Sequence, residues 1–371
     1  MNFSINKKKL YNALIEHNKA VPMRTSLPIL SCVLFVIKKN TLTIKSSDLE
    51  QTIISTQDIE SSEGGSIALP IGKLTEIVSA LKEEKLKITT NSDFLVEINS
   101  SQGVYKITGK EAEDFPETPS PKSKQKLQIK GSDFINIIEK TGYASSKDDL
   151  KPALCGVYFS VQEKTITAVA TDGHKLVKHE QETKGQTNEK ISIVLPLKFL
   201  NIVKTNTQKE EDVVVKIGEN HAQTEQKNYT IITRTIKENF PDFNSVIPDN
   251  NKTIAETNTQ EIISCLKRVS IFSNKTTKQT MLSFSSKGVT ISAQDIETSA
   301  SAKEHLDCVF SGEEVTTSYN AKYLIDVIQH LGGEKTNIYL NSALTAAVFQ
   351  TKENKEREKT TSLLMPIRIN Q

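Results

Sequence analysis

A strand-and-turn pattern that recurs three times limits the possible folds of this chain more than any other feature of its sequence. Each copy is a run suited to a β-strand, followed by a polar turn that contains an aspartate. The copies are TLTIKSSDLEQTIIST from Thr41, TITAVATDGHKLVKHE from Thr165 and GVTISAQDIETSASAK from Gly288. Their aspartates, Asp48, Asp172 and Asp295, are 124 and 123 residues apart. This period indicates that one structural unit is repeated three times.

Two amphipathic helices are predicted in each unit, because apolar residues recur at the helical spacing of three and four. In the first helix of each unit these residues are Leu10, Leu14 and Ile15; Phe134, Ile137 and Ile138; and Ile262, Ile263, Leu266 and Val269. Ser132 is predicted to cap the start of the middle one of these helices, and Gly142 to end it. The second helix follows in PIGKLTEIVSALKEE, PLKFLNIVKTN and NAKYLIDVIQHLGG, with apolar faces at Leu74, Ile77, Val78 and Leu81 in the first copy and at Tyr323, Leu324, Val327, Ile328 and Leu331 in the third.

The remaining segments predict antiparallel strands. Runs such as KLKITTNSDFLVEIN and NYTIITRTI alternate apolar and polar residues, which is typical of a sheet with one solvated face. Stretches near Pro119–Lys126 and Pro248–Lys252 mark the boundaries between units. The predicted fold class is α+β, with three tandem repeats of a two-helix, antiparallel-sheet domain at residues 1–121, 122–249 and 250–371.

Composition excludes several classes of protein. A net charge of +2 and a pI of 8.1 are too weakly basic for a protein that holds DNA by charge, so any contact with nucleic acid should be loose and salt-dependent. The four cysteines are far apart in sequence, which predicts no zinc site, no disulfide framework and a reducing cytoplasm. No cofactor or metal is expected. The longest apolar stretch, Leu27 to Ile37, is too short to cross a membrane as a helix and is predicted as a buried strand.

The middle copy, AVATDGHKLVK from Ala168, carries an aspartate and a histidine two residues apart. This pair suggests acid–base catalysis, but no nucleophile or second acid accompanies it at a recognisable spacing. Because the aspartate recurs in all three copies, hydrogen bonding to the turn backbone explains it better. Gly173 and His174 are specific to the middle copy, and an exposed binding loop is the favoured interpretation for them.

The chain resembles the bacterial DNA polymerase III beta subunit (beta sliding clamp) family. The resemblance rests on the three repeats, ATDGHKL in the middle copy and LLMPIRIN at the C-terminus, with further matches in RTSLPIL, SSDLE, FPDF and Ser273–Asn274. It implies a processivity factor without catalytic residues of its own. Two chains would close head to tail into a six-domain ring around duplex DNA, without reading its sequence. Short peptide motifs would tether the replicative DNA polymerase, the clamp loader and other clamp-binding proteins.

The resemblance also implies two sets of site residues, and together with the repeats it suggests a third. The partner-peptide pocket would comprise Lys151, Leu154, Thr171, Gly173, His174, Lys175, Leu176, Pro241, Val246, Leu344, Met365, Pro366 and Ile367. Among candidate DNA-facing cations, Arg24 matches a family position that contacts DNA. Lys73, Lys198 and Lys322 occupy the same position in the second helix of each repeat, which suggests a shared electrostatic role on DNA, although a solvated helix face explains them equally well. Lys267 and Arg268 are further candidates. The homodimer contact would comprise Tyr105, Ile107, Ile271 and Phe272. Lys175 departs from the family pattern, where arginine is usual, and cannot make the bidentate contacts of a guanidinium.

Two other functions remain open on the sequence. One is a structural repeat protein that never meets DNA, and the other is a hydrolase that uses Asp172 and His174.

Overall fold

The structure is a computed structural model that describes residues 1–183, 190–353 and 357–368. One succession of elements occurs three times: a strand, a helix, four or five strands, a second helix and three further strands. The three-repeat α+β organisation predicted from the spacing of the aspartates is therefore confirmed.

The elements are numbered in chain order. The first repeat contains β1 (Asn2–Asn6), α1 (Lys7–Asn18), β2 (Cys32–Lys38), β3 (Thr41–Ser47), β4 (Gln51–Asp58), β5 (Glu60–Glu63), β6 (Gly65–Pro70), α2 (Ile71–Ala80), β7 (Lys85–Thr90), β8 (Leu95–Ser100) and β9 (Gly103–Thr108). The second contains β10 (Gln125–Lys130), α3 (Gly131–Thr141), β11 (Gly156–Gln162), β12 (Thr165–Thr171), β13 (Lys175–Glu182), β14 (Ile191–Pro196), α4 (Leu197–Asn206), β15 (Asp212–Ile217), β16 (His221–Gln226) and β17 (Tyr229–Arg234). The third contains β18 (Thr253–Asn258), α5 (Thr259–Val269), β19 (Gln279–Ser285), β20 (Gly288–Asp295), β21 (Ala300–Leu306), β22 (Val309–Ser311), β23 (Val315–Asn320), α6 (Ala321–Leu331), β24 (Lys335–Leu340), β25 (Ala347–Thr351) and β26 (Glu358–Leu364).

Three predicted details are wrong. Ile15 is exposed, and α1 buries Leu10, Ala13, Leu14 and His17 instead. Helix α3 begins at Gly131, so Ser132 lies inside its first turn and does not cap it. The predicted strand from Leu27 begins only at Cys32, because Pro28–Ser31 forms a 3₁₀ turn, a conformation that suits the fixed φ angle of proline.

Within the described residues the chain forms two compact units. The first comprises Met1–Gly131 and Lys198–Thr235, and the second comprises Ser132–Leu197 and the chain from Ile236 onward. The first unit contains a five-stranded sheet of order β5-β1-β7-β8-β9 and an eight-stranded sheet of order β10-β15-β16-β17-β4-β3-β2-β6. The second contains a nine-stranded sheet of order β14-β11-β12-β13-β26-β25-β24-β18-β22 and a four-stranded sheet of order β21-β20-β19-β23.

The two largest sheets each combine strands from two repeats. Strand β17 of the second repeat pairs antiparallel with β4 of the first, and β26 of the third repeat pairs antiparallel with β13 of the second. The last strand of one repeat thus pairs with the strand that follows the aspartate turn of the preceding repeat. Each of these sheets lies within one compact unit, so the middle repeat contributes strands to both units.

Candidate functional site

The turn between β12 and β13 is shaped by its own side chains. Oδ1 of Asp172 accepts hydrogen bonds from the backbone N–H groups of His174 and Lys175, both at 2.9 Å. The Thr171 hydroxyl donates to the Lys175 carbonyl at 2.7 Å and accepts from the Gly173 N–H at 3.1 Å. The prediction that the aspartate organises this turn is confirmed.

The corresponding turns repeat the arrangement. In the first repeat Oδ1 of Asp48 accepts from the N–H groups of Glu50 at 3.1 Å and Gln51 at 2.6 Å. In the third repeat Asp295 accepts from the N–H of Glu297 at 3.2 Å. The aspartate therefore belongs to the fold, and what is special to the middle copy must lie in its other residues.

Gly173 and Leu49 occupy equivalent positions and both have positive φ angles, +89° and +75°. A side chain at this angle is strained, and glycine removes the strain. No atom lies within 4 Å of where a Cβ of Gly173 would be. The glycine therefore leaves an open surface beside His174, where the first repeat carries a leucine side chain.

Lys175 and His174 both contact Tyr323 of α6. The Lys175 ammonium forms an ion pair with Oδ2 of Asp172 and lies 4.6 Å from the centre of the Tyr323 ring, and its side chain is only 6 % exposed. The His174 ring stacks on the same tyrosine, with 5.8 Å between ring centres and 23° between planes. Tyr323 was predicted only as part of the apolar face of its helix, because the contact depends on pairing between two repeats.

The side chains of Asp172 and His174 have separate partners. In the parts of the chain that the structure describes, no hydrogen bond joins the Asp172 carboxylate to the His174 ring. One oxygen of the carboxylate accepts from backbone N–H groups and the other is paired with Lys175. Both carboxylate oxygens are therefore engaged with the turn backbone and Lys175, and not with the His174 ring.

An apolar surface lies next to the turn. Leu176 of β13 is paired opposite Leu363 of β26. Both belong to a buried cluster that comprises Val169, Leu176, Ala346, Val348 and Leu363. Val246, Leu344 and Met365 are more than half exposed, although apolar side chains of this size are usually buried. Exposed apolar side chains of this kind mark candidate interaction sites.

The C-terminal segment is fixed to this region by its backbone. The Met365 N–H donates to the His174 carbonyl at 2.9 Å, and the Ile367 N–H donates to the Ser318 carbonyl at 2.7 Å. Pro366 lies between them and is partly exposed. The segment that was assigned to the pocket from the resemblance is thus hydrogen-bonded to the turn.

The other predicted pocket residues lie in two loops of the same unit. Lys151 is exposed and directly precedes a 3₁₀ turn at Pro152–Leu154, whose last residue, Leu154, is half-buried. Pro241 is exposed in the segment after β17. Its neighbours were missed by the sequence analysis: Phe240 and Phe243 pack on Tyr158, with ring centres 5.3 and 5.8 Å apart. Those aromatics mark where this segment is anchored.

The predicted DNA-facing cations have different surroundings. Arg24 and Lys322 are exposed, Arg24 in the loop between α1 and β2 and Lys322 in the first turn of α6. Lys73 is exposed and lies 3.4 Å from Glu76. Lys198 forms an ion pair with the turn residue Asp48, which reduces the positive charge it can offer to a phosphate.

The predicted dimer residues also differ in exposure. Ile107 is 7 % exposed and belongs to the core of the first unit, and Tyr105 packs against that core. Both lie on β9, which is an edge strand. Ile271 and Phe272, in a 3₁₀ turn after α5, are 76 % and 39 % exposed. Ile271 and Phe272 therefore present apolar side chains to solvent, whereas Ile107 presents mainly the backbone of its edge strand.

Across residues 1–183, 190–353 and 357–368, no three His, Cys, Asp or Glu side chains are grouped so that they could hold a metal ion. Within the same residues, no helix is both long and apolar enough to span a bilayer.

Comparisons with known proteins agree along the whole chain. Residues 1–119, 128–242 and 244–368 match the family models of the DNA polymerase III beta subunit's N-terminal, central and C-terminal domains. The beta sliding clamp of Vibrio cholerae is 26 % identical over 371 residues, with all of both chains covered. That of Haemophilus influenzae is 28 % identical over 376 residues, again over the full length of both.

Solved structures show the same similarity of fold. The DNA polymerase sliding clamp of Bacillus subtilis superposes with a TM-score of 0.93 at 25 % identity, and the DNA polymerase III beta subunit of Thermotoga maritima with 0.91 at 22 %. Both comparisons cover all of each chain. The order of the three matched domains, the repeated sheet pairing and these full-length relatives together show that the chain belongs to the DNA polymerase III beta subunit family, the beta sliding clamps.

Proposed function

We propose that this protein is a non-enzymatic DNA sliding clamp of the cytoplasm. Residues 1–121, 122–249 and 250–371 would be its three clamp domains, of which 184–189, 354–356 and 369–371 lie outside the described residues. Two copies would close into a six-domain ring around duplex DNA and act as a processivity factor for the replicative polymerase. The pairing of strands between repeats is the observation that carries this proposal.

That pairing leaves two strands without their counterparts. Strand β9 is the last strand of its repeat, as β17 and β26 are, so it should pair with a strand that follows an aspartate turn. Strand β21 follows the aspartate turn of its repeat, as β4 and β13 do, so it should pair with the last strand of a repeat. In the described part of the chain, β9 and β21 each pair on one side only. A second copy supplies both missing strands. Such pairing is reciprocal, so two identical seams form and the assembly closes.

The two observed junctions have the same register. Gln51 and Lys175, the first residues of β4 and β13, lie opposite Thr233 and Leu364 near the ends of β17 and β26. If β9 of one copy and β21 of the other pair in this register at each seam, Ala300, the first residue of β21, lies opposite a residue near the end of β9.

Within β9 that residue is Ile107. It pairs with a fully buried residue, Val96, as Thr233 pairs with Ala222 and Leu364 with Ala347. The same register then sets Ser301 opposite Lys106, both of them exposed. Core-facing and solvent-facing positions thus match across the seam, as a sheet register requires.

A closed ring also accounts for the weak net charge. A protein that holds DNA by charge needs many phosphate contacts, whereas a ring is retained by topology. A net charge of +2 then suffices for loose, sequence-independent contacts that permit sliding. Arg24, Lys73, Lys198 and Lys322 are the proposed DNA-facing cations.

The site around the β12–β13 turn would bind short peptide segments of partner proteins, including the polymerase and the clamp loader. Leu176, Val246, Leu344 and Met365 supply apolar surface, and the flexible thioether of a methionine adapts to varied side chains. The exposed His174 would form a polar rim. Lys175 was expected in the same rim, but its side chain is buried between Asp172 and Tyr323, so it would position His174 and the turn instead. Lys151, Leu154, Thr171, Gly173, Pro241, Pro366 and Ile367 complete the proposed pocket.

Topological retention tests the proposal directly. The protein is threaded onto a linear duplex with biotin at both ends, streptavidin is added to block the ends, and the mixture is gel-filtered at increasing salt. We expect the protein to stay with end-blocked DNA and to run off the same duplex with open ends. Equal loss from both duplexes would contradict a ring and favour a structural repeat protein that does not meet DNA.

A further inference from the structure

The face of the nine-stranded sheet that carries Leu176 also forms the floor of a cleft of about 440 Å³. Residues of β13, β26, β25, β24 and β18 line the floor, and the segment 247–251, which joins the second and third repeats, forms one wall. The volume is within the usual range for a binding site. None of the described residues that line the cleft belongs to the proposed peptide pocket or to the proposed dimer contact.

A row of apolar side chains connects the pocket with this cleft. Side chains at every second position of a strand share one face, and directly paired residues of neighbouring strands lie side by side on it. The paired residues form the series Leu176, Leu363, Val348, Tyr339 and Ile254, of which the last three line the cleft. Val348 is buried, Tyr339 is half-buried and Ile254 is 41 % exposed, so the row becomes more accessible towards the cleft.

The wall of the cleft continues the wall of the pocket. Val246 is a proposed pocket residue, and the next residue, Ile247, lines the cleft and packs against the buried cluster beside the pocket. The Ile247 N–H donates to the Asn244 carbonyl at 3.3 Å, and Nδ2 of Asn251 donates to the Pro248 carbonyl at 3.3 Å. These hydrogen bonds give the segment a defined shape. A ligand that leaves the pocket along this segment therefore meets the cleft next.

The charges of the cleft balance one another. Its lining contains two basic and two acidic residues: Lys178, Lys359, Glu180 and Asp249. The Lys178 ammonium lies 2.9 Å from the Glu180 carboxylate, so this pair carries no net charge. A cleft without net charge and with an apolar floor favours an uncharged, partly apolar ligand over a phosphate or a metal cation.

A buried hydrogen-bond acceptor in the wall has no partner. Oδ1 of Asn251 is buried and, within the described residues, accepts no hydrogen bond. Buried polar atoms are normally hydrogen-bonded, so an unsatisfied one indicates a missing donor. The main chain of a peptide carries an N–H donor at each residue except proline, and such a donor would satisfy this oxygen.

We propose that the cleft is an additional apolar subsite beyond the pocket, which binds a side chain of the same partner peptide that fills the pocket. The inference rests on the proposed peptide-binding function and extends it to Tyr339, Val348 and Ile254. Three steps from strand to strand separate Leu176 from Tyr339, which is about 14 Å at the usual strand spacing. An extended peptide advances about 3.3 Å per residue, so its two apolar side chains should be about four residues apart.

Parallel selections from one random peptide library test this spacing. The library is displayed on phage and selected on the wild type, on Ile254→Lys and on the matched control Val309→Lys. Ile254→Lys places a charge on the floor of the cleft, whereas Val309 is an exposed apolar residue of the next strand, β22, and does not line the cleft. We expect peptides from the wild type and the control to prefer a second apolar residue about four positions from the first. Peptides selected on Ile254→Lys should lack that preference.

Affinities then measure the contribution of the cleft. A fluorescent peptide from the wild-type selection is compared with the same peptide carrying serine at its second apolar position. Serine should weaken binding to the wild type about tenfold, because the burial of an apolar side chain is lost. Ile254→Lys should bind both peptides equally, and as tightly as the wild type binds the serine peptide, which also shows that the variant is folded.

Two results would overturn the proposal: the same position preferences in all three selections, or an equal loss of affinity on serine substitution in the wild type and in Ile254→Lys. Met365→Ala separates this failure from failure of the pocket itself. If no peptide is enriched on the wild type, or if the selected peptides bind Met365→Ala as tightly as the wild type, the proposed peptide pocket is wrong, and the cleft is not part of a peptide site. If Met365→Ala weakens binding while Ile254→Lys behaves as the wild type, only the role of the cleft is contradicted.

Discussion

At the scale of single residues, the recurring aspartate has one local role and three different partners. Asp48, Asp172 and Asp295 all accept hydrogen bonds from the backbone of their own turn. Beyond the turn, Asp48 pairs with Lys198, Asp172 with Lys175, and Asp295 accepts from the Thr298 hydroxyl at 2.9 Å. The shared role was predictable from the sequence. The partners were not, because two of them depend on side chains that differ between repeats.

Loss of the Asp172 charge should destabilise the protein strongly, because Lys175 would remain buried without its counter-charge. We expect Asp172→Asn to lower the free energy of unfolding by about 3 kcal/mol. Asp295→Asn is the matched control, because it alters the same kind of turn without leaving a buried cation unpaired. It should lower the free energy of unfolding by about 1 kcal/mol. Urea unfolding midpoints measure both. Adding Lys175→Met to Asp172→Asn should restore most of the loss, and equal costs for the two single variants would contradict this account.

His17 should make the protein sensitive to acid. Its ring is fully buried between the hydroxyls of Ser46 and Ser55, at 2.9 and 2.8 Å, and burial lowers its pKa from 6.5 to about 3. Below pH 6.5 His17 binds a proton in the unfolded state but not in the folded state. The free energy of unfolding therefore decreases as the pH is lowered from 6.5 to about 3. From pH 7.5 to 5 this amounts to about 2 kcal/mol.

Urea midpoints at several pH values measure the effect. The His17→Gln variant should lose less stability on acidification than the wild type, whatever its stability at neutral pH. Parallel curves for wild type and His17→Gln would contradict the assignment.

At the scale of elements, periodicity predicted the helices well and their edges poorly. Ile15 lies about 140° around α1 from Leu10, well outside the buried face, although it follows Leu14 directly. Helix α3 begins one residue before the predicted cap because the Gly131 N–H donates to the Glu211 carbonyl at 2.7 Å. A Cβ at Gly131 would overlap the Gln208 carbonyl, so only glycine fits there. Contacts at such sequence separation leave no local signal.

The register inferred for the seam between β9 and β21 can be tested by crosslinking. Cysteines at Ser301 and Lys106 would lie directly opposite each other, at a Cα separation of about 4.5–5.5 Å, which suits a disulfide. Mild oxidation of the double variant should therefore give a covalent dimer. Each single variant controls for the four native cysteines, two of which are only partly buried.

A register control uses Ser301→Cys with Thr108→Cys. This pair is displaced by two residues from direct opposition, so its Cβ atoms would be too far apart for a disulfide. Efficient crosslinking of the displaced pair, with none for Ser301 and Lys106, would show that the seam has a different register from the two junctions within the chain.

At the scale of the whole molecule, the sequence revealed the repeats but not how they join. Alternating residues predict a strand and its buried face, yet they do not specify which strand lies beside it. The pocket residues are a case in point: the resemblance grouped them, while the pairing of β13 with β26 explains physically why the Asp172 turn lies beside Met365. For Ile107 the sequence pattern predicted only that the side chain is buried. It did not distinguish burial in the core of the first unit, which the structure shows, from burial against a second copy.

The ring should open into monomers when the seam is broken at an exposed apolar residue. Ile271 is 76 % exposed in the single chain, so Ile271→Asp should leave the fold intact. Burying the Ile271 side chain would stabilise each seam by about 1.5–3 kcal/mol, which the variant loses. The introduced carboxylate costs more than this when it is buried without a partner, and a ring has two such seams. Light scattering should then give 41.2 kDa for the variant and twice that mass for the wild type.

Val309→Asp changes a similarly exposed apolar residue on the edge strand β22 and should remain dimeric. The monomer should also leave end-blocked DNA while still binding partner peptides, because the proposed pocket lies wholly within the second unit. A dimeric Ile271→Asp would place the seam elsewhere on the chain.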